Sequence, residues 1–225
     1  MVYDYEGLYV NKWVALDKLK ITVFLGSMII NIGGIYMSFE QCESMTSFMA
    51  GFNKTWFFAG GWAIDLFIGK ETREHNDIEL ALFRKDQLNL KDYLKEWEFK
   101  KVSKGKFQTW ENEFLELPIH EIHAWNKLNG DKIEVLLNET KDNDWKFRRD
   151  LRISSPLDSV WSYSETGIPY LNPEIVLLYK AKNTREKDNQ DFMTVKDYLD
   201  NEKKQWLRYA LELHEPEHKW LQFLF

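Results

Sequence analysis

Asp77 and Glu79 stand two residues apart inside an alternating run, Asn76 to Phe83, in which Ile78, Leu80 and Leu82 fill the apolar positions. On a strand, residues two apart emerge on one face, so both carboxylates point the same way and the apolar side chains point the other. Neighbouring carboxylates repel. Such a pair persists by facing water or by holding cations, and hard divalent ions take oxygen ligands of this kind. Just upstream, Gly60-Gly61 separates an apolar run from a helix-like segment. Glycines there let the backbone come close to a phosphate, and the start of the helix offers free N–H donors. Each signal alone is weak, because an acidic strand face is often merely solvated and a glycine pair is often merely a tight turn. Joined by the polar loop that carries Thr72, Arg73 and His75, they point to chemistry on a metal-bound phosphate.

The other reactive side chains read as structural. Cys42, the single cysteine, lies with Phe39, Met45, Phe48, Met49 and Phe52 at helical spacing, the pattern of a buried thiol rather than a nucleophile. His120 and His123 are three apart in a strand-like run and so are expected on opposite faces, which argues against a shared zinc. His214 and His218 flank Pro216, which breaks any helix that would align them. These four histidines are expected to be structural or surface residues, and His75 to orient its loop or a carboxylate. Asp65 is expected on a helix face or behind a ligand. Arg185, Asp188 and Asp191 are expected to form salt bridges.

The elements that must carry these groups follow from hydrophobic period and stop signals. Ser38 to Phe52 reads as an amphipathic helix capped by Ser38. Trp56 to Ala59 reads as a buried strand, Trp62 to Ile68 as a helix stopped by Gly69, Asn76 to Phe83 as a strand and Lys85 to Trp97 as a helix. Shorter strands are expected around Phe99 to Val102, Phe107 to Trp110, Ile119 to Trp125 and Lys132 to Leu137. Asn172-Pro173-Glu174 is a helix start, with Asn as cap, Pro in the first turn and an acid beside the positive end of the dipole. From there to Leu213 the chain reads as helices with short polar breaks.

The segment from Gly60 to Glu79, GGWAIDLFIGKETREHNDIE, resembles the signature of the polymerase-beta-like nucleotidyltransferase superfamily. Within it the segment is similar to the aminoglycoside and lincosamide nucleotidyltransferases, which carry G-G-W-A-[IL]-D and then T-R-x-H-x-D-I-[DE]. A softer resemblance continues through KIEVLLNE (Lys132 to Glu139) and GIPYLNPEIVLLYKAK (Gly167 to Lys182), so it covers roughly Trp56 to Asp191. The resemblance implies an α/β nucleotidyltransferase fold, a mixed twisted β-sheet flanked by helices with a helical C-terminal region. It implies that Gly60 and Gly61 hold the triphosphate and that Asp77 and Glu79 are metal ligands, Glu79 standing where many members have Asp. It also implies a third carboxylate on a later strand. Glu134 is the best candidate because it alternates with Ile133 and Val135; Glu139, Asp131 and Glu121 compete with it. Two Mg²⁺ ions would then stabilise the entering and leaving oxygens of an in-line attack. Glu134 would accept the acceptor's proton, and Arg73 and Lys180 would help pyrophosphate to leave.

Across the whole chain, 225 residues allow one domain, or one domain with a helical appendage. A net charge of −6 leans away from nucleic acid, whose binding draws on phosphate neutralisation, and toward small ligands, cationic ones included. Ile21 to Met37 carries no charge but is too short, and too diluted by Gly26, Ser27, Asn31, Gly33 and Gly34, for a membrane helix, so no membrane partner is expected. Met37 is expected as the native start, with the Gly33-Gly34 codons serving as a ribosome-binding sequence. The lone cysteine and the lack of a clear export signal fit a cytoplasmic location. The expected organisation is an extension at 1–36, a nucleotidyltransferase domain at 37–165 and a helical region at 166–225 forming one wall of the acceptor cleft. The expected reaction moves a nucleoside monophosphate from an NTP to a hydroxyl of a small acceptor, aminoglycoside- or lincosamide-like by resemblance, with release of pyrophosphate. The alternatives are a toxin-like enzyme acting on tRNA or protein, and a nucleotide-binding module without catalysis.

Overall fold

A computed structural model describes residues 39–224 and, before them, the backbone of three short strands: β1 (Thr22–Leu25), β2 (Met28–Asn31) and β3 (Gly34–Ile35). Those three form their own antiparallel sheet in chain order. The expected start at Met37 and the expected cap Ser38 lie outside the described residues.

The second unit, from Phe39 onward, opens with α1 (Glu40–Phe48), which buries Cys42 and Met45 and tightens into a 3-10 turn at Met49–Gly51. Next come β4 (Trp56–Phe58) and α2 (Gly60–Ile68). Helix α2 begins on the two glycines themselves, two residues earlier than its apolar pattern predicts. It ends where Gly69, at φ +81°, donates its N–H to the Asp65 carbonyl at 2.8 Å, a left-handed cap that favours glycine. The chain continues through β5 (Glu79–Phe83), a 3-10 turn, and α3 (Gln87–Tyr93). It then runs through β6 (Trp97–Ser103), β7 (Lys106–Thr109), β8 (Glu121–Asn126) and β9 (Lys132–Lys141). Helix α3 is shorter than expected because Trp97 and Phe99, two apart, both turn into the core, and that period belongs to β6.

Four short strands that the sequence reading did not separate follow: β10 (Asp144–Lys146), β11 (Ser154–Pro156), β12 (Trp161–Tyr163) and β13 (Pro169–Leu171). Three helices complete the unit: α4 (Pro173–Ala181), α5 (Glu186–Val195) and α6 (Asn201–His214). The main sheet runs β12-β13-β4-β5-β9-β8-β6-β7, with β10 and β11 extending from β9. Residue 165 lies in the turn between β12 and β13, which pair antiparallel.

Two pairings set the register that matters. Strand β5 runs parallel to β9 with Glu79 opposite Glu134, and β8 runs antiparallel to β9 with His123 opposite Glu134. Beneath this row Leu80, Leu82, Ile122, Ala124, Ile133 and Val135 are buried, so the sheet is apolar on one side and carries its acids on the other. Among the described residues no helix is long and apolar enough to cross a membrane.

Candidate active site

A cleft of about 630 Å³ opens over the polar face of β5, β9 and β8, and Asp77, Glu79 and Glu134 all line it. Asp77 sits in the bend just before β5, where its backbone carbonyl accepts from the Trp62 indole N–H at 3.1 Å. Glu79 begins the strand. Burial, the largest cause, and the charge of Asp77 raise its pKa, while Lys180, Lys187 and the Gly61 N–H ease the cost. Glu134 is pushed up to about 8, by burial first and then by the charges of Glu79, Glu121 and Asp77. Oxygen ligands that are this costly as bare anions fit a divalent cation, which reverses the penalty.

Among the described residues, a different trio also brings potential metal-binding atoms together. One atom each from Glu121, His123 and Glu134 lies within 4.8 Å of the others, and His123 Nε2 is 2.7 Å from Glu121 Oε1. His123, expected to be a structural or surface residue, therefore stands beside Glu134. The signal for this lay in Glu121 and His123, two apart on one strand and so on one face. The reading that set His123 against His120 missed it. The other competing candidates go elsewhere. Glu139 is held by Arg84 at 2.6 Å, and Asp131 is exposed and bonded to Asn129 at 2.6 Å.

The glycine turn is built for close approach. Gly60 has φ +59°, and a Cβ there would run into the Glu79 carboxylate; a Cβ on Gly61 would run into Arg73 and His75. The loop before β5 is held by a buried network. Asp65 accepts from Thr72 N at 3.1 Å and Thr72 Oγ1 at 2.5 Å, and lies 2.6 Å from His75 Nε2. The His75 ring tilts against Trp62 at 4.3 Å and its other nitrogen is 3.1 Å from Arg73 Nη1. Arg73 in turn donates to both oxygens of Asp191, at 2.8 and 3.1 Å. Asp191 also meets Lys180 at 2.9 Å; Lys180 meets Asp188 at 3.0 Å, and Asp188 meets Arg185 at 2.8 Å. Arg73 and Lys180 thus line the cleft while tied to α5. The cluster of Arg185, Asp188 and Asp191 is a set of salt bridges that also anchors the loop.

Further cations line the cleft without having stood out in the sequence: Lys182 and Lys187, and the neighbours Arg148 and Arg149. Clustering of cations about acids in one concavity is the arrangement that phosphoryl and nucleotidyl chemistry requires.

Comparison with known proteins agrees with this fold. The family model described as aminoglycoside-2''-adenylyltransferase matches residues 43–195. Among solved structures, the lincosamide antibiotic adenylyltransferase LnuA with lincomycin bound is similar in fold, with a TM-score of 0.51 at 16% identity, over 73% of this chain and 99% of that one. ANT(2'')-Ia in complex with adenylyl-2''-tobramycin gives a TM-score of 0.53 at 16% identity, over 77% of this chain and 98% of that one. No curated protein matches the chain in sequence.

Proposed function

This chain belongs to the aminoglycoside-2''-adenylyltransferase family, and from that premise we propose that it transfers a nucleoside monophosphate from an NTP to a hydroxyl of a small acceptor, with Mg²⁺ bound and pyrophosphate released. The observation that carries the reading is Glu79 in register with Glu134 on parallel strands, sharing with Asp77 a cleft that begins at a glycine turn. Asp77, Glu79 and Glu134 are the residues that would hold the metal, and the chemistry it supplies when bound is neutralisation of charge at the phosphorus and its oxygens.

The rest falls to side chains. The acceptor oxygen bonds to the α-phosphorus as the bond to the bridging oxygen of pyrophosphate breaks. The acceptor's proton passes to the Glu134 carboxylate, which lines the cleft in register with Glu79. Gly60 and Gly61 let the triphosphate lie against the start of α2. Lys180, with Lys187 and Arg185 around it, meets the growing negative charge of pyrophosphate; Arg73 holds the loop in place through Asp191. The acceptors we propose are aminoglycoside- or lincosamide-like, as for the two solved neighbours, and the chain's net charge of −6 suits a polycation. We place the reaction in the cytoplasm, where NTP and Mg²⁺ are supplied.

The test is direct. The protein is incubated with α-labelled ATP or GTP, Mg²⁺, and panels of aminoglycosides, lincosamides and bulk tRNA, and the fate of the label is followed. Label is expected on a small antibiotic, and Asp77→Asn is expected to abolish transfer with an unchanged melting curve. Transfer by that variant at the parent rate refutes the site, and label on tRNA refutes the acceptor class.

A further inference from the structure

Arg148 and Arg149 follow buried Phe147 in a tight loop, closed by hydrogen bonds from Phe147 N to the Ile153 carbonyl (3.0 Å), from Asp150 N to the Phe147 carbonyl (3.0 Å) and from Ile153 N to the Asp150 carbonyl (3.0 Å). The loop turns both guanidinium groups against α4. Arg148 lies 4.9 Å from the centre of the Tyr179 ring, and Arg149 lies 5.6 Å from it and donates to the Tyr179 carbonyl at 2.8 Å. Both line the cleft, and neither forms an ion pair among the described residues.

That lack is the point. Two adjacent guanidinium charges, partly buried, repel each other and lose hydration, and burial holds both below the usual arginine range, Arg149 at about 10. The two carboxylates whose charge reaches Arg148 are already engaged, Glu139 with Arg84 and Glu121 with His123. By contrast, Arg73, Lys180 and Arg185, near Glu79, all have carboxylate partners. Each guanidinium is a planar fork of donors, and two of them left without a counter-ion on one wall of a cleft suit a phosphate group, which accepts bidentate hydrogen bonds.

We infer that Arg148 and Arg149 form a phosphate-binding subsite of the cleft, in addition to the glycine turn and the Lys180 cluster. The inference rests on the nucleotidyl-transfer reading only for the source of the phosphate. If the group belongs to the NTP, the pair grips the polyphosphate tail. If it belongs to the acceptor, the cleft selects a phosphorylated hydroxyl compound.

Calorimetric titration separates these cases, using the full chain with pyrophosphate, ATP with Mg²⁺, and a sugar monophosphate as probes. Arg148→Gln is the informative variant, because among the described residues that guanidinium makes no hydrogen bond, so its removal is expected to leave the loop intact; Arg149→Gln is its companion. Metal-free pyrophosphate is expected to bind the parent and to bind Arg148→Gln about tenfold more weakly, the loss typical of a charge-assisted hydrogen bond. A parallel loss for ATP assigns the phosphate to the nucleotide. A loss for the sugar phosphate alone assigns it to the acceptor. Equal affinity of parent and both variants for all three probes, or no binding of any probe by the parent, overturns the subsite. Asp77→Asn keeps the two readings distinct. If neither parent nor variant transfers label, yet pyrophosphate binding still depends on Arg148, the subsite stands and the transfer reaction falls.

Discussion

Gly60 carries more of the site than its size suggests. Its φ of +59° is a conformation that costs an L-residue about 1–2 kcal/mol, and the space a Cβ would take is filled by the Glu79 carboxylate. Gly60→Ala is therefore expected to lower the melting temperature by several degrees and to cut transfer by more than tenfold, since relief of the clash moves a proposed metal ligand. A melting scan beside the labelled-transfer assay checks both; an unchanged transfer rate would mean that Glu79 has freedom to move without cost. The same scale shows what could be read in advance. The pairing of Asp77 with Glu79 and the glycines before them are legible because strand period and steric freedom are local properties. Arg148 and Arg149 were invisible for a physical reason. Two adjacent basic residues have no periodic signature, and their meaning depends on which carboxylates elsewhere are already bonded, a fact of tertiary structure. His123 lay between these cases, since its partner Glu121 was two residues away on one strand.

Helix α4 is the element on which the cleft and the C-terminal helices both lean. Its start was legible as Asn172-Pro173-Glu174, but the groups there do other work than expected. The Asn172 side chain does not cap the helix; it accepts from Ser162 Oγ at 2.7 Å and donates to the Ser159 carbonyl at 2.8 Å, tying α4 to β12. Glu174, read as a dipole-matching acid, is 7% exposed with one carboxylate oxygen lacking a hydrogen bond, and burial pushes it up to about 7 from 4.5. The sign follows from proton linkage. The folded chain holds this proton more tightly than the unfolded chain, so stability contributed by Glu174 is highest below pH 4.5 and falls as pH rises toward 7. Glu174→Gln is thus expected to be more stable than the parent at pH 8 by about 1–3 kcal/mol, with the gap closing as pH drops to the normal glutamate range. Urea unfolding at several pH values measures it; a gap that is constant with pH would show that the ionised form of Glu174 bears no folding cost. Helix α5 shows the converse, with acids made harmless by cations. Burial by itself would raise Asp188 and Asp191, yet bonds and charge from Arg185, Arg73 and Lys180 hold both below the ordinary carboxylate value, Asp188 well below it. That network, contributed by three separated segments, was expected only as local salt bridging.

At the scale of the molecule, the order of mixed α/β followed by helices was legible, because period and punctuation change near residue 172. The extent of the unit was not. The family match ends at residue 195, yet the chain beyond it completes the core. In α6, Leu207, Ala210 and Leu211 are fully buried, and α6 packs on α4, the helix whose other side lines the cleft. After it, Trp220 stacks on Phe192 of α5, with ring centres 4.4 Å apart and planes within 3°, and its indole N–H donates to Asn189 at 3.0 Å. Spacing within α6 reveals an apolar stripe but not its partner, and a lone Trp near the end of the sequence has no period at all. If the tail is a separable appendage, Trp220→Ala should cost little and leave a cooperative transition. If it belongs to the same folding unit as the sheet, the loss of a buried indole should cost about 3–5 kcal/mol, and activity and secondary structure should disappear together on heating. The second outcome is expected, because α5 holds at once the stack with Trp220 and, through Asp191 and Arg73, the loop that carries Asp77. Melting curves followed by circular dichroism and by nucleotide binding test the coupling, and two separate transitions would break it.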